Sequence, residues 1–282
     1  MHCYYRGNKL FLFKNESDLE WNVRTHNKIA KKYERIHGEI YNSHEQSRLR
    51  NALKEAISDI NTGCESKLVL DFGCGAGNLT GHLTFLGCEV VACDVSQGFL
   101  DLLASRSYTT NVETAKLNGV DLSNIPSDSV DMVATYSVLH HVPDYLGILT
   151  EFMRVLKPGG VVFIDHEPSD EFWLKGHAYL DFEQEMKQNT RLDLKKYFIP
   201  TNYYDWLIRR FVNPRYHREG DIHVFDDDHV EWSKVTSALV KAGGEVVFEA
   251  DYLLYRRNYD ILIYNKHKDK TTDMHLLVVK KL

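Results

Sequence analysis

Residues 69–81 read Val-Leu-Asp-Phe-Gly-Cys-Gly-Ala-Gly-Asn-Leu-Thr-Gly, the pattern in this chain most suited to holding a ligand. An apolar run ends in Asp71, glycines follow at 73, 75 and 77, and an amphipathic stretch then begins. This order describes a buried strand, a tight turn and a helix start. Glycine is required where the backbone takes unusual dihedrals or a ligand approaches the main chain closely. Amide hydrogens at the helix start then suit an anionic group. The spacing D-x-G-x-G-x-G differs from the dinucleotide fingerprint G-x-G-x-x-G, whose third glycine lies inside the helix. For the loop alone, a structural turn capped by Asp71 is the plain alternative.

Other chemistry-bearing residues close later apolar runs. Asp94 ends Val90-Val91-Ala92-Cys93-Asp94, where a carboxylate can accept both ribose hydroxyls of a nucleoside. His140 and His141 follow a fourth apolar run, and His166 sits in Asp165-His166-Glu167-Pro168 after a fifth. His166 is the first choice for a general base, and one of the paired histidines reads as structural. His37, Tyr41 and His44 share a helix face and read as packing. A metal site can be drawn from Asp165, His166, Glu167 and distant histidines. With no i, i+4 histidine pair in a helical motif, none is expected.

The elements that must position these residues alternate. Residues 22–60 read as helical, closed by Asn61-Thr62-Gly63. Strands follow at 67–72, 89–94, 111–118, 130–136 and 161–165, with helices at 79–86, 97–105 and 147–156. Such alternation implies an α/β fold: a parallel sheet with helices on both faces, binding ligands beyond the strands' carboxyl ends. From about 169 to 229 the alternation gives way to an aromatic-rich, charged stretch, read as a helical insertion. A helix at 230–242 and strands at 245–254 and 274–280 complete the chain, with 265–272 as a solvated loop.

The 282 residues can bury a sizeable core, and the net charge of −6 argues against a general grip on nucleic acid. Five cysteines without C-x-x-C spacing read as free thiols of a reducing compartment. Leu10-Phe11-Leu12-Phe13 is too short and too closely flanked by charge for a signal peptide. No run is long enough to span a membrane, so a cytoplasmic protein is expected.

Six segments in order over residues 65–166 resemble the small-molecule class I S-adenosylmethionine (AdoMet) methyltransferases, including those of ubiquinone and menaquinone biosynthesis. They are the glycine loop, the strand ending in Asp94, Asp121 before Leu122-Ser123-Asn124-Ile125-Pro126, Asp131-Met132-Val133, Leu139-His140-His141, and Arg154-Val155-Leu156-Lys157-Pro158-Gly159-Gly160. The resemblance thins beyond residue 169. It implies a Rossmann-like, mostly parallel seven-stranded sheet, with AdoMet as cofactor and S-adenosylhomocysteine as product. It places Asp71, Gly73, Cys74, Gly75 and Gly77 around the methionine portion, Asp94 and Val95 at the ribose, and Asp121 and Leu122 at the adenine. Tyr33, in the preceding helical segment, and Tyr136 would also touch the cofactor. His166, His141 and Tyr136 are the catalytic candidates.

The expected organisation is 1–62 as an N-terminal helical extension or lid, 63–168 as the AdoMet core, 169–229 as a substrate lid and 230–282 as the rest of the sheet. Thr135-Tyr136-Ser137-Val138 lacks the N/D-P-P-Y motif of amino-group methyltransferases acting on DNA bases or glutamine side chains, and no basic domain is evident. A small-molecule acceptor is therefore expected, with oxygen, nitrogen or carbon as the attacked atom. A protein or RNA acceptor, or a cofactor-binding protein without methyl transfer, are the alternatives. Arg209, Arg210, Arg215 and Arg218 could meet an anionic acceptor, and Asp226-Asp227-Asp228 reads as a solvated helix start.

Overall fold

The computed structural model describes residues 17–189, 200–211, 213–217 and 219–282. Cys3, residues 10–13 and Arg218 lie outside them.

Seven strands form one sheet: β1 (Leu68–Phe72), β2 (Glu89–Asp94), β3 (Val112–Lys116), β4 (Val130–Tyr136), β5 (Leu156–Pro168), β6 (Gly244–Tyr252) and β7 (Met274–Lys281). Their order is β3-β2-β1-β4-β5-β7-β6. β1 to β5 run parallel, and β7 is antiparallel to both β5 and β6. Successive side chains of a strand point to opposite faces. Val69, Met132 and Phe163 accordingly enter one apolar layer, while Leu70, Val133 and Ile164 enter the other. With both faces covered, the central strands read as continuous apolar runs rather than alternating ones.

Eleven α-helices accompany the sheet among the described residues: α1 (Asp18–Ile29), α2 (Tyr33–Ile36), α3 (Ser43–Ser58), α4 (Asn78–Phe85), α5 (Gln97–Ala104), α6 (Tyr145–Val155), α7 (Asp170–Leu174), α8 (His177–Asn189), α9 (Pro200–Phe211), α10 (Trp232–Lys241) and α11 (Ile261–His267). The helix expected at 22–60 is broken. Ser17 and Glu20 form a reciprocal capping box that starts α1 earlier, and Asn42 caps α3 by accepting from the Glu45 amide at 3.0 Å. Between them the chain turns, burying Ile40.

The stretch 265–272 is not wholly a solvated loop. Asp260 caps α11, whose Ile263 and His267 are buried. His267 contacts Glu185 of α8 at 2.8 Å. Tyr179, Phe182 and Met186 of α8 pack on Leu253 and Ile263, so these insertion aromatics fill a satellite core. Asp227 and Asp228 do not start a helix. They pair with Arg215 beside a short hairpin (Val224–Phe225 with Asp228–His229), and α10 begins at Trp232. No helix among the described residues is long and apolar enough to cross a membrane.

Candidate active site

The sheet order reverses between β1 and β4, and a cleft of about 1010 Å³, open solvent at its mouth included, lies at that switch point. Gly73, Gly75 and Gly77 all take positive φ, at +71°, +49° and +83°. A Cβ on Gly73 would come within 2.6 Å of the Val138 methyls, so the loop is packed against the segment after β4. A Cβ on Gly75 would meet nothing nearer than 3.9 Å, and Gly75 lines the cleft. Gly77 does not line it. Its place is the left-handed N-cap of α4, packed 3.3 Å from Leu103 if given a Cβ.

Carboxylates mark both ends of this cleft. Asp94 is buried; its Oδ2 accepts from the Gly75 amide at 2.9 Å and its Oδ1 from the Ser96 amide at 2.7 Å. Each oxygen keeps a lone pair, so two ribose hydroxyls can still be bound. Burial pushes Asp94 up to about 6. Val95 lies beside it on the lining. Asp121 lines the far end and accepts from Ser123 and Asn118, which hold its carboxyl below the usual range. Leu122 is fully buried in the core and does not line the cleft; Val120 is the apolar neighbour that does. Gly119, Val120 and Asp121 line the cleft in succession, and the chain then turns Leu122 into the core.

The loop end carries unsatisfied groups. Asp71 Oδ2 accepts from Thr80 Oγ1 at 2.5 Å, while Oδ1 is buried without a partner. Asn78 Nδ2 and Tyr41 Oη also line the cleft unpartnered. Gln46 donates to Asn78 Oδ1 at 2.8 Å, which turns the amide nitrogen to the open side. An orphaned carboxylate oxygen, amide donor and hydroxyl around one space fit an amino acid's ammonium and carboxylate. The chain therefore suits AdoMet at both its nucleoside and its methionine ends. Tyr41 and Asn78 had no sequence signal beyond helical spacing.

Burial pushes Asp71 up to about 7 against its Thr80 hydrogen bonds. Asp71 and Asp94 thus bind protons more tightly folded than unfolded. Between about pH 4 and 7 the unfolded state has already lost these protons, so the contribution of these two groups to folded stability falls as pH rises. His82 and His141, held below the usual range by burial, act in the opposite direction, so the test is a difference: on acidification from pH 7 to 5.5 the ligand-free wild type should gain melting temperature relative to Asp71→Asn. An unchanged slope in the variant would refute the assignment. Glu45, held down to about 2, stabilises the fold throughout this window and loses that contribution only as pH falls from about 4.5 towards 2.

A second chamber, about 810 Å³, shares Tyr33, Ile40, Ser137 and His141 with the cleft. It adds His37, His140, His166 and His217, with Glu39, Glu219 and Asp221. His166 lines this chamber and not the cleft. It sits on a β-bulge where β5 slips against β7, with φ of +63°, and neighbouring Ser137 has φ of +60°. Two non-glycine residues in the left-handed region at adjacent strand ends are strain of the kind that re-aims side chains at sites.

The His166 ring stacks on Tyr136 at 4.4 Å, above a buried polar cluster. Tyr136 donates to Glu45 at 2.9 Å, Arg48 bridges Glu45 and Asp165, and Tyr252 donates to Asp165 at 3.0 Å. Burial, then the Glu45 and Asp165 charges, push the Tyr136 hydroxyl far up. Tyr136 is therefore a fixed donor whose ring lines the cleft, and it offers no base at neutral pH. Glu45 and Arg48 escaped sequence reasoning, and Asp165 was not linked to them, because they lie up to 120 residues apart. Tyr33 stands edge-on to Phe99 at 5.3 Å on the wall shared by both spaces.

The paired histidines split. Burial lowers His140, but the charge and 2.7 Å contact of Glu167 win, pushing it up to about 9. Glu167 also accepts from the Val138 and Leu139 amides, so it fixes the turn. Burial, with His140 adding, holds His141 well below the usual range and keeps it neutral.

α1 roofs the cleft: Asn27 accepts from Ser96 Oγ and the Gly98 amide, at 2.7 and 2.8 Å, while Asn22 contacts His141 at 3.0 Å.

The family description "Methyltransferase domain" fits residues 70–164. A demethylmenaquinone methyltransferase of Staphylococcus aureus is 35% identical over 52% of this chain and 61% of its own length. A malonyl-[acyl-carrier protein] O-methyltransferase of Yersinia pestis is 27% identical over 49% of this chain and 50% of its own. The chain thus spans about half to three-fifths of these relatives. Among solved structures, a methyltransferase from Anabaena variabilis shares the fold with a TM-score of 0.58, at 15% identity over 98% of this chain and 100% of that one. The glycine loop and the carboxylates Asp71 and Asp94 all fall inside the matched span, so residues 70–164 are similar to the methyltransferase domain of AdoMet-dependent enzymes.

Proposed function

We propose that the chain transfers the methyl group of AdoMet to a small polar molecule held in the histidine-lined chamber. One observation carries this reading: the cofactor cleft and the chamber share a wall, made by Tyr33, Ile40, Ser137 and His141. Bound in the cleft, AdoMet supplies a methyl on a cationic sulfonium, which needs in-line alignment above all. Gly75 and Asp94 orient the nucleoside, Asp71 and Asn78 the amino-acid end, and the roof formed by α1 excludes water. Imidazoles and carboxylates favour an acceptor with hydroxyl, amine or carboxylate groups over a plain hydrocarbon. The similarity to a methyltransferase named for demethylmenaquinone supports a small acceptor.

His166 is placed to take the acceptor's proton as the new bond forms. His166→Ala should lower kcat by about 10²–10⁴-fold, with AdoMet affinity unchanged because His166 does not line the cleft. Calorimetry with AdoMet and S-adenosylhomocysteine tests the reading first, followed by a screen of metabolites for methyl uptake. Failure of the folded protein to bind either ligand would end it, and turnover intact in the variant would move the base elsewhere.

A further inference from the structure

His140, His141 and Asp221 each bring a ligand atom into a space where all three lie within 4.8 Å of one another, and all three line the second chamber. The site roles above do not use Asp221.

His140 makes its 2.7 Å contact with Glu167 through Nδ1, leaving Nε2, from which a cation would displace the proton. A carboxylate on the far ring nitrogen is how metal-binding imidazoles are oriented. His141 Nδ1 faces the Asn22 amide nitrogen at 3.0 Å and Asp221 Oδ1 at 3.3 Å. An amide nitrogen only donates, so Nδ1 is the acceptor there, and a cation would take over the lone pair that the Asn22 amide occupies. A lone pair and a carboxylate oxygen therefore confront each other, and Asp221 Oδ1 has no hydrogen-bond partner. Metal bonds of about 2.0–2.2 Å at tetrahedral angles set two ligand atoms about 3.3–3.5 Å apart, which is this separation. Asp221 Oδ2 lies 2.8 Å from His217 Nδ1. The Ile222 and His223 amides both donate to the His140 carbonyl, tying the Asp221 segment to the histidine turn.

We propose that His140, His141 and Asp221 form a divalent-cation site whose open positions face the acceptor chamber. Two imidazoles and one carboxylate suit zinc, cobalt, iron(II) or manganese, and leave positions for an acceptor oxygen or nitrogen. What the cation would hold rests on the methyl-transfer reading; its binding does not.

The test uses the full chain stripped with a chelator, titrated with zinc alone and then with cobalt(II), whose visible spectrum reports nitrogen and oxygen ligation. One equivalent should bind. Asp221→Asn should weaken binding at least a hundred-fold and remove the cobalt band, while Glu219→Gln, in the same chamber but outside the cluster, should change neither. S-adenosylhomocysteine affinity, measured on the same samples, should match wild type in both variants and so report folding. Equal cation binding by wild type and Asp221→Asn, or no binding at millimolar cation, overturns the site. Loss of S-adenosylhomocysteine binding by the wild type would sink the methyl-transfer reading and leave the cation result intact.

Discussion

Gly75→Val should abolish AdoMet and S-adenosylhomocysteine binding while leaving the protein folded. The two requirements separate at this residue. An added Cβ at 75 meets nothing nearer than 3.9 Å, so no core atom must move, and the isopropyl group enters the cleft instead. Gly75 also has φ of +49°, which costs a β-branched residue about 1–3 kcal/mol. That cost is tolerable for a domain with about 5–15 kcal/mol of stability. Occupation of the space against the backbone is not tolerable for a ligand that must lie there. Affinity should fall at least a thousand-fold by calorimetry, with circular dichroism unchanged and a modestly lower melting temperature. Gly73→Val is the contrast: its Cβ would sit 2.6 Å from the Val138 methyls, so it should unfold the loop. Binding near the wild-type level in Gly75→Val would mean that the cofactor lies elsewhere.

Asp94→Ala should weaken S-adenosylhomocysteine binding about a hundred-fold or more. Hydrogen bonds to a charged group contribute about 1.5–3 kcal/mol each, and two ribose hydroxyls would lose theirs. The Gly75 and Ser96 amides, which donate to the same carboxylate, lose theirs too. The loop is thereby loosened at the residue that must stay close to the ligand. Because burial pushes Asp94 up to about 6, wild-type affinity should also fall as pH drops below about 6 and the carboxylate protonates. The variant should lack this dependence. Unchanged affinity in a folded Asp94→Ala protein, or the same pH profile in both, would remove Asp94 from the site.

Legibility in the sequence followed locality. β2 and β4 appear at their expected bounds because buried strands ending in polar turns are written in consecutive residues. The glycine loop was legible for the same reason: positive φ at 73, 75 and 77 demands glycine in place. The N-terminal helices were misjoined because the apolar spacing of 22–60 continues across a turn. Ile40 keeps that periodicity by being buried, not by being helical. The expected cofactor contact at Leu122 falls instead on Val120, because Gly119 to Asp121 line the cleft and Leu122 is drawn into the core by packing that local sequence does not record.

By itself, the sequence determined the parallel sheet, the loop at its switch point and the carboxylates that end β1 and β2, because each depends on neighbours within a few residues. Only the tertiary structure decided how Tyr41, Asn78 and Asp71 leave unpaired groups around one space. It alone set His166 on a strained bulge over Glu45 and Arg48, and brought Asp221 to His140 and His141. Those groupings join segments as much as about 120 residues apart. Their distances are fixed by packing of whole elements, which no spacing along the chain records.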